Sequence, residues 1–261
     1  MRTIETLSPE EARGLRGLLF DLDDTVLDRG LLTEPAYRAL FRLSEAGLEL
    51  FAVTGRPAGW GAVLARQWPI AGVVSENGAI AHYRSGHGVT CLDPLTAAER
   101  VERRERLASL VTEIRSRYPE LEPADDVDAR RSDFTFDIGE RLRPPAERVA
   151  DAAAFARARG ARTLSSSVHL HVSYDASDKA SGAVRLVGRL LGVDPTSALY
   201  RYGFIGDSAN DAACFAAFHS SIAVRNLSGR PALLPRFVTR GERGAGFAEA
   251  AAILCERRNR G

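Results

Sequence analysis

The apolar run Gly17-Leu18-Leu19-Phe20, leading straight into Asp21-Leu22-Asp23-Asp24-Thr25, constrains this chain most. Gly17 to Leu22 reads as a short buried strand. Side chains alternate across a strand, so Asp21 and Asp23 are expected on one side of its end. Carboxylates that close repel each other. A divalent cation nearby, or a proton retained on one of them, relieves the repulsion. The plainer alternative for the pentapeptide alone is an acidic strand end that caps a helix.

The rhythm repeats. Glu34 to Ala46 has helical periodicity and stops at Gly47, a natural C-terminal cap. Leu48 to Val53 is a second apolar strand, ending in Thr54-Gly55-Arg56-Pro57. Pro57 suits the first turn of a helix running to about Trp68. Ala71 to Val74 is a third strand, closed by Ser75-Glu76-Asn77-Gly78. Alternating strands and helices predict a parallel α/β sheet, whose working residues gather beyond the strand C-termini. Asp21, Thr54 and the Glu76-Asn77 turn all fall at such ends.

The texture then changes. Ala97 to Tyr118 is a long charged helix, and residues 120–131 read as a loop. Ser132 to Ile138 alternates like a strand, Pro145 to Arg159 is a helix stopped by Gly160, and Ala161 to Ser165 and Val168 to Ser173 are two more strands. This predicts a second α/β unit inserted into the first: a core over 1–82 and 174–261, and a cap over 83–173. The opening rhythm returns with a helix over Asp178 to Leu191. A strand over Arg201 to Ile205 then runs into Gly206-Asp207-Ser208-Ala209-Asn210-Asp211. Strands over Ser221 to Val224 and Phe237 to Thr239 and a helix from about Gly246 to Arg257 finish the chain. Gly206 allows a tight exit and Asp207 sits at the mouth of the sheet. Asn210 and Asp211 look back at the same spot from a first helical turn, where free backbone N–H groups attract an anion. An Asp/Asn-rich helix cap is the alternative here.

Composition narrows the classes. With 261 residues, 45% of them apolar and 26% charged, the chain is an ordinary globular protein with room for two units. A net charge of +1 gives no case for nucleic acid or an anionic membrane. No apolar run approaches a membrane span, and the Glu-rich stretch Met1 to Arg13 does not read as a signal peptide. Cys91, Cys214 and Cys255 lack metal-ligand spacing, so reduced thiols in a cytoplasmic protein are expected. Of 35 Lys plus Arg, one alone is lysine: Lys179. Lysine is a compact point charge and guanidinium a broad planar fork, so a lysine that survives such a bias hints at a place arginine cannot fill.

Together these residues resemble the haloacid dehalogenase superfamily, over essentially the whole chain. The four motifs of that family match in order at Asp21-Leu22-Asp23-Asp24-Thr25, at Thr54 in Val53-Thr54-Gly55-Arg56-Pro57, at Lys179, and at Gly206-Asp207-Ser208-Ala209-Asn210-Asp211. The Ser75-Glu76-Asn77-Gly78-Ala79 turn and the insert resemble the type-IIB branch, which includes Cof-type sugar phosphatases, sucrose phosphatase, mannosyl-3-phosphoglycerate phosphatase and eukaryotic-type phosphomannomutases. The resemblance implies a Rossmann-like core with an α/β cap, and a role for each matching residue. Asp21 is the nucleophile that forms an aspartyl-phosphate, and Asp23 the acid and base. Mg2+ is held by the Asp21 carboxylate, the Asp23 carbonyl and the Asp207 carboxylate. Thr54, Gly55 and Asn210 are phosphate-binding positions, and Lys179 neutralises charge on the nucleophile and the phosphoryl group. Asp211 and Ser208 support them, with Asn210 and Asp211 orienting Lys179 and a metal-bound water. Asp24 stands where glycine is frequent and is expected to face solvent.

The cap is expected to choose the substrate. His169 and His171 share one face of its last strand, and contact from His171 to substrate is weighed evenly against two half-exposed sheet residues. Arg56 and Asn77 are further substrate candidates. Arg130 and Arg131 are expected on a solvated loop face, with an anion contact as the alternative, and Trp60 and Trp68 are expected to pack. The stretch from Phe237 to Glu249 is similar to the tail of the mannosyl-3-phosphoglycerate phosphatase group. The expected activity is magnesium-dependent hydrolysis of a sugar phosphate or related small phosphate ester by a monomer or homodimer. A sugar phosphomutase and a non-catalytic sugar-phosphate binder are the alternatives.

Overall fold

The structure is a computed structural model that describes residues 1–166, 168–228 and 233–259. A nine-stranded sheet forms its centre, in the order Arg2–Thr3, Phe237–Val238, Ser220–Ala223, Tyr202–Gly206, Gly17–Phe20, Glu49–Val53, Gly72–Ser75, Ile80–Ser85, Gly88–Leu92. The first seven run parallel, and the last two turn antiparallel at one edge. Alternation sorts the buried residues onto two faces. Leu18, Phe20, Leu50, Ala52, Ile205 and Ile222 pack beneath helices Glu34–Glu45 and Arg243–Asn259, where Phe20 meets Phe247 edge-on. Leu19, Phe51, Val53, Val74 and Phe204 pack on the other side, beneath Lys179–Leu191 and Ala212–Ala217. Burying such a side chain on either face stabilises the fold by about 1.5–3 kcal/mol.

The chain leaves Gly17–Phe20 in one direction through Glu49–Val53 and Gly72–Ser75. It returns on the opposite side with Tyr202–Gly206. The strand order therefore reverses at Gly17–Phe20, and the crevice beyond the strand ends at such a switch point is where α/β sheets bind ligands.

The insert has its own antiparallel sheet, ordered Arg162–Ser165, His169–Ser173, Asp133–Asp137, with helices Ala97–Arg117 and Ala146–Ala158. Phe136, Leu170 and Val172 meet Leu107, Leu110, Ile114, Ala152 and Ala156 in a separate hydrophobic cluster. The alternate residues, Asp133, Thr135, His169 and His171, form a polar face, with His171 opposite Thr135 and His169 opposite Asp137.

The expected boundary at residue 83 falls inside the strand Ile80–Ser85. That strand pairs with Gly72–Ser75 and, across the turn after Ser85, with Gly88–Leu92. Gly86, at φ +57°, supplies the left-handed turn of this tight hairpin. The large sheet thus continues to Leu92, and the crossings to the insert lie after Leu92 and after Ser173. Arg100 braces both crossings, donating to Asp93 at 2.8 and 2.9 Å and to Asp175 at 2.8 Å. Among the described residues no helix is long and apolar enough to cross a membrane.

Candidate active site

Three neighbouring strands end at Asp21, Asp207 and Thr54. The Asp21 N–H donates to Ile205 O at 2.9 Å and the Thr54 N–H to Val74 O at 2.8 Å, so the ladder carries both residues to the rim of the sheet. Lys179 opens the helix Lys179–Leu191, whose N-cap Asp178 accepts from the Ser181 N–H. Two glycines seat that helix. A Cβ on Gly182 would lie 2.5 Å from Gly78 Cα, and one on Gly78 only 1.9 Å from Asp178 O. Backbone-to-backbone contact is therefore what sets the depth of Lys179.

The lone lysine sits at the centre of the site. Its side chain is buried, and Nζ donates to Asp21 Oδ1 at 2.8 Å, Asp211 Oδ1 at 2.7 Å and Asn210 Oδ1 at 3.4 Å. An ammonium has three hydrogens for three acceptors, and a planar guanidinium cannot converge on one point in this way. Asp211 is fully committed to protein donors, because its other oxygen accepts the N–H groups of Asp207 at 3.0 Å and Ser208 at 3.2 Å. Gly206 makes room for it, since a Cβ there would stand 2.4 Å from Asp211 Oδ2. Asn210 Oδ1 also accepts from Ser208 Oγ at 2.6 Å, which leaves its amide nitrogen without a partner among the described residues and able to face an anion. Asp207 accepts from Thr25 Oγ1 at 3.3 Å.

Oxygens of Asp21, Asp207 and Asp211 all lie within 4.8 Å of one another, and all three residues are buried. Three carboxylates face one ammonium. Burial and the neighbouring acids push Asp21 well above the carboxylate range, against the pull of Lys179. Burial, then Asp211, pushes Asp207 up to about 7. Burial disfavours the Lys179 charge, but Asp21 and Asp211 outweigh it and hold its pKa well above the usual lysine value. Fully ionised, three carboxylates against one ammonium would leave two uncompensated negative charges in a buried site. Among the described residues Asp21 and Asp207 each accept one side-chain donor, so both retain acceptor capacity. This donor set fits a divalent oxygen-seeking cation.

Asp23 stands apart from the expectation. The strand ends at Phe20, so alternation does not reach it, and it occupies a turn with 48% of its side chain exposed. Its carboxylate is gripped by Arg56, through Nη2 at 2.6 Å and Nε at 3.0 Å. Arg56 in turn lies over Trp60 at 4.2 Å from the ring centre. Trp60 is 43% exposed rather than packed, while Trp68 is buried. Asp24 does not simply face solvent: it pairs with Arg243 Nε at 2.9 Å. Its φ of +55° gives the physical reason glycine suits the position.

Thr54 is buried, and its Oγ1 accepts the Arg56 N–H at 3.1 Å, leaving its own hydrogen to donate. Beside it the insert closes in. Glu76 takes five hydrogen bonds, from the N–H groups of Ala58, Arg131, Ser132 and Asp133 and from Ser132 Oγ, at 2.6–3.2 Å. Arg130 was expected in solvent but is buried. It pairs with Asp126 at 2.8 Å and Asp133 at 2.9 Å and donates to Gly55 O at 3.0 Å. Asp126 and Asp133 lie within four residues of Arg130, but the Gly55 carbonyl that holds it in the core is 75 residues away and invisible to a loop reading. Arg131 points away, to Cys91 Sγ at 3.4 Å. His171 is buried with Nδ1 2.8 Å from Asp133 and 3.4 Å from Asn77 Nδ2, whereas half-buried His169 is turned to Glu140 at 3.0 Å. Sequence reasoning missed Glu76, Asp133 and Arg130 as a group, although Glu76 lay inside a quoted motif.

No protein-family model matches the sequence, and no curated protein matches it. Solved structures do. A haloacid dehalogenase-like hydrolase from Bacteroides thetaiotaomicron matches with TM-score 0.66 at 15% identity, over 92% of this chain and 98% of that one. The sucrose-phosphatase of Synechocystis sp., solved with sucrose and phosphate, gives 0.62 at 16% identity over the same shares. The C-terminal domain of trehalose-6-phosphate phosphatase from C. albicans gives 0.69 at 13% identity over 98% of both chains. The chain therefore has the fold of the haloacid dehalogenase-like hydrolases, a mostly parallel α/β core carrying an inserted α/β unit.

Proposed function

We propose that the protein is a magnesium-dependent phosphatase that hydrolyses a sugar phosphate or related small phosphate ester through an aspartyl-phosphate. The observation that carries this is the buried Lys179 ammonium, 2.8 Å from Asp21 and 2.7 Å from Asp211, with Asp207 in the same cluster at the switch point of the sheet. The structural likeness to a sucrose-phosphatase and a trehalose-6-phosphate phosphatase supports a sugar phosphate as the substrate class.

An Asp21 carboxylate oxygen attacks phosphorus, forming the Asp21 O–P bond as the bond to the leaving oxygen breaks. Asp23, in its protonated form, gives its proton to that oxygen. It then takes a proton from the water that attacks phosphorus, which returns Asp21 and frees phosphate. Thr54 Oγ and the Asn210 amide donate to the phosphoryl oxygens, and Lys179 balances their charge against Asp21. The Asp21 and Asp207 carboxylates and the Asp23 carbonyl would hold Mg2+, which supplies neutralising charge for the phosphoryl group. Asp211 and Ser208 position Lys179 and Asn210.

Two measurements test this. A phosphate-release screen over phosphorylated sugars and glycerate derivatives, with and without magnesium, should give magnesium-dependent turnover, and Asp21→Asn should abolish it. Release from no substrate, or full activity in Asp21→Asn, sinks the reading. Independently of turnover, magnesium at 100 times its Kd should stabilise the wild type by about 2.7 kcal/mol. Asp207→Asn, which keeps the shape but removes a charge, should lose most of that thermal shift. An equal shift in both proteins would place the ion elsewhere.

A further inference from the structure

Gly55, Asn77 and His171 meet at one point beside Thr54. A Cβ on Gly55 would lie 3.1 Å from Asn77 Oδ1, 3.4 Å from Asn77 Nδ2 and 3.5 Å from His171 Cε1. The core thus contributes an amide, and the insert an imidazole, next to the place proposed for the phosphoryl group. Asn77 Oδ1 is buried and has no hydrogen-bond partner. His171 commits Nδ1 to Asp133, which leaves Nε2 as the ring nitrogen that can meet a substrate. A buried polar atom left unpaired is costly, and the cost is removed when something entering the site supplies the bond. An amide end and an imidazole nitrogen can each present a donor or an acceptor, and a hydroxyl satisfies both cases. A carboxylate, which only accepts, satisfies one.

Charge points the same way. The groups around this point are Arg56 with Asp23, Arg130 with Asp126 and Asp133, and Glu140 with His169. Two guanidiniums stand against four carboxylates, and both guanidiniums are already engaged. Burial lowers the His171 pKa against the pull of Asp133, so the imidazole brings no compensating charge. A carboxylate on the leaving group would face more carboxylates than guanidiniums among these groups.

We propose that Asn77 and His171 form a hydroxyl-reading subsite, positioned by Asp133 and Arg130, that selects an uncharged polyhydroxyl leaving group and rejects one bearing a carboxylate. This rests on the phosphatase reading above and narrows its substrate class. Glycerol 3-phosphate and 3-phosphoglycerate make a matched pair, since a carboxylate replaces one hydroxymethyl group. With p-nitrophenyl phosphate as the general substrate, the full chain with magnesium should show kcat/KM at least about tenfold higher for glycerol 3-phosphate than for 3-phosphoglycerate. Asn77 has φ +53°, which glycine and aspartate also accept, so both substitutions spare the backbone. Asn77→Gly should raise the KM for glycerol 3-phosphate about tenfold while kcat changes less, and should narrow the preference. Asn77→Asp should widen it. If p-nitrophenyl phosphate is hydrolysed but 3-phosphoglycerate is used equally or better, the subsite is wrong and the phosphatase reading stands. If Asn77→Gly leaves the KM and the preference unchanged, Asn77 does not read the substrate. If no phosphate ester is hydrolysed, the phosphatase reading fails and the subsite falls with it.

Discussion

Lys179→Met should lower phosphate release by at least about 10³-fold, the scale expected when a preorganised charge is removed from a dry site. The same change should destabilise the fold. Three buried carboxylates, of which Asp211 also anchors the Asp207 and Ser208 N–H groups, would lose their one cation. Removing one partner of a buried ion pair costs about 3–5 kcal/mol, less whatever Asp21 and Asp207 recover by taking up protons. Magnesium should restore part of the stability and little of the activity, because it supplies charge but no donor at the Lys179 position. The sharper variant is Lys179→Arg. It keeps the charge, yet a fork cannot bring one nitrogen within 2.8 Å of both Asp21 and Asp211 beneath a helix seated on Gly78 and Gly182. Its activity should fall close to that of Lys179→Met. Phosphate release and chemical denaturation, each with and without magnesium, measure both effects. An arginine variant within threefold of wild type would show that only charge matters there.

Lys179 also marks how much of the site the sequence carries. Each short buried strand ends abruptly in a polar residue, so Asp21, Thr54 and Asp207 are legible from pattern alone: apolar periodicity stops where the sheet meets its crevice. The arginine bias made the one lysine conspicuous, and the four-motif resemblance gave it its place beside the acids. What resisted reading depends on where side chains turn after regular structure ends. Asp23 follows a strand by three residues, and alternation says nothing of a turn, so its pairing with Arg56 was invisible. Arg130 looked like a loop arginine because, although Asp126 and Asp133 lie four and three residues away, the Gly55 carbonyl that fixes it in the interior comes from 75 residues away. The expected boundary at residue 83 cut the hairpin after Ser75, because its second strand, at the sheet edge, carries little apolar signal.

Glu76→Ala should be the most damaging change that leaves the catalytic cluster untouched. The Glu76 carboxylate joins the two units of the fold: one oxygen accepts from Ala58 in the core and Arg131 in the insert, the other from the Ser132 N–H, Ser132 Oγ and the Asp133 N–H. Burial and the nearby Asp133 raise its pKa, yet these donors favour the ionised form. Alanine would leave four backbone N–H groups without acceptors, and buried unsatisfied donors cost about 1–3 kcal/mol each. Water can reach some of them, so a net loss of about 3–5 kcal/mol is expected. Glu76→Gln should fall between, because one of its ends becomes a donor facing other donors. The local consequence reaches the substrate side. Asp133 carries both an N–H held by Glu76 and the carboxylate that holds His171 at 2.8 Å. Releasing it should therefore raise the KM for a polyol phosphate more than it lowers kcat, a split that general loosening of the core would not produce. Denaturant unfolding measures the first effect and steady-state kinetics the second. An alanine variant within 1 kcal/mol of wild type would mean that residues 131–133 find other acceptors and that the insert is fastened over the site from the two crossings braced by Arg100.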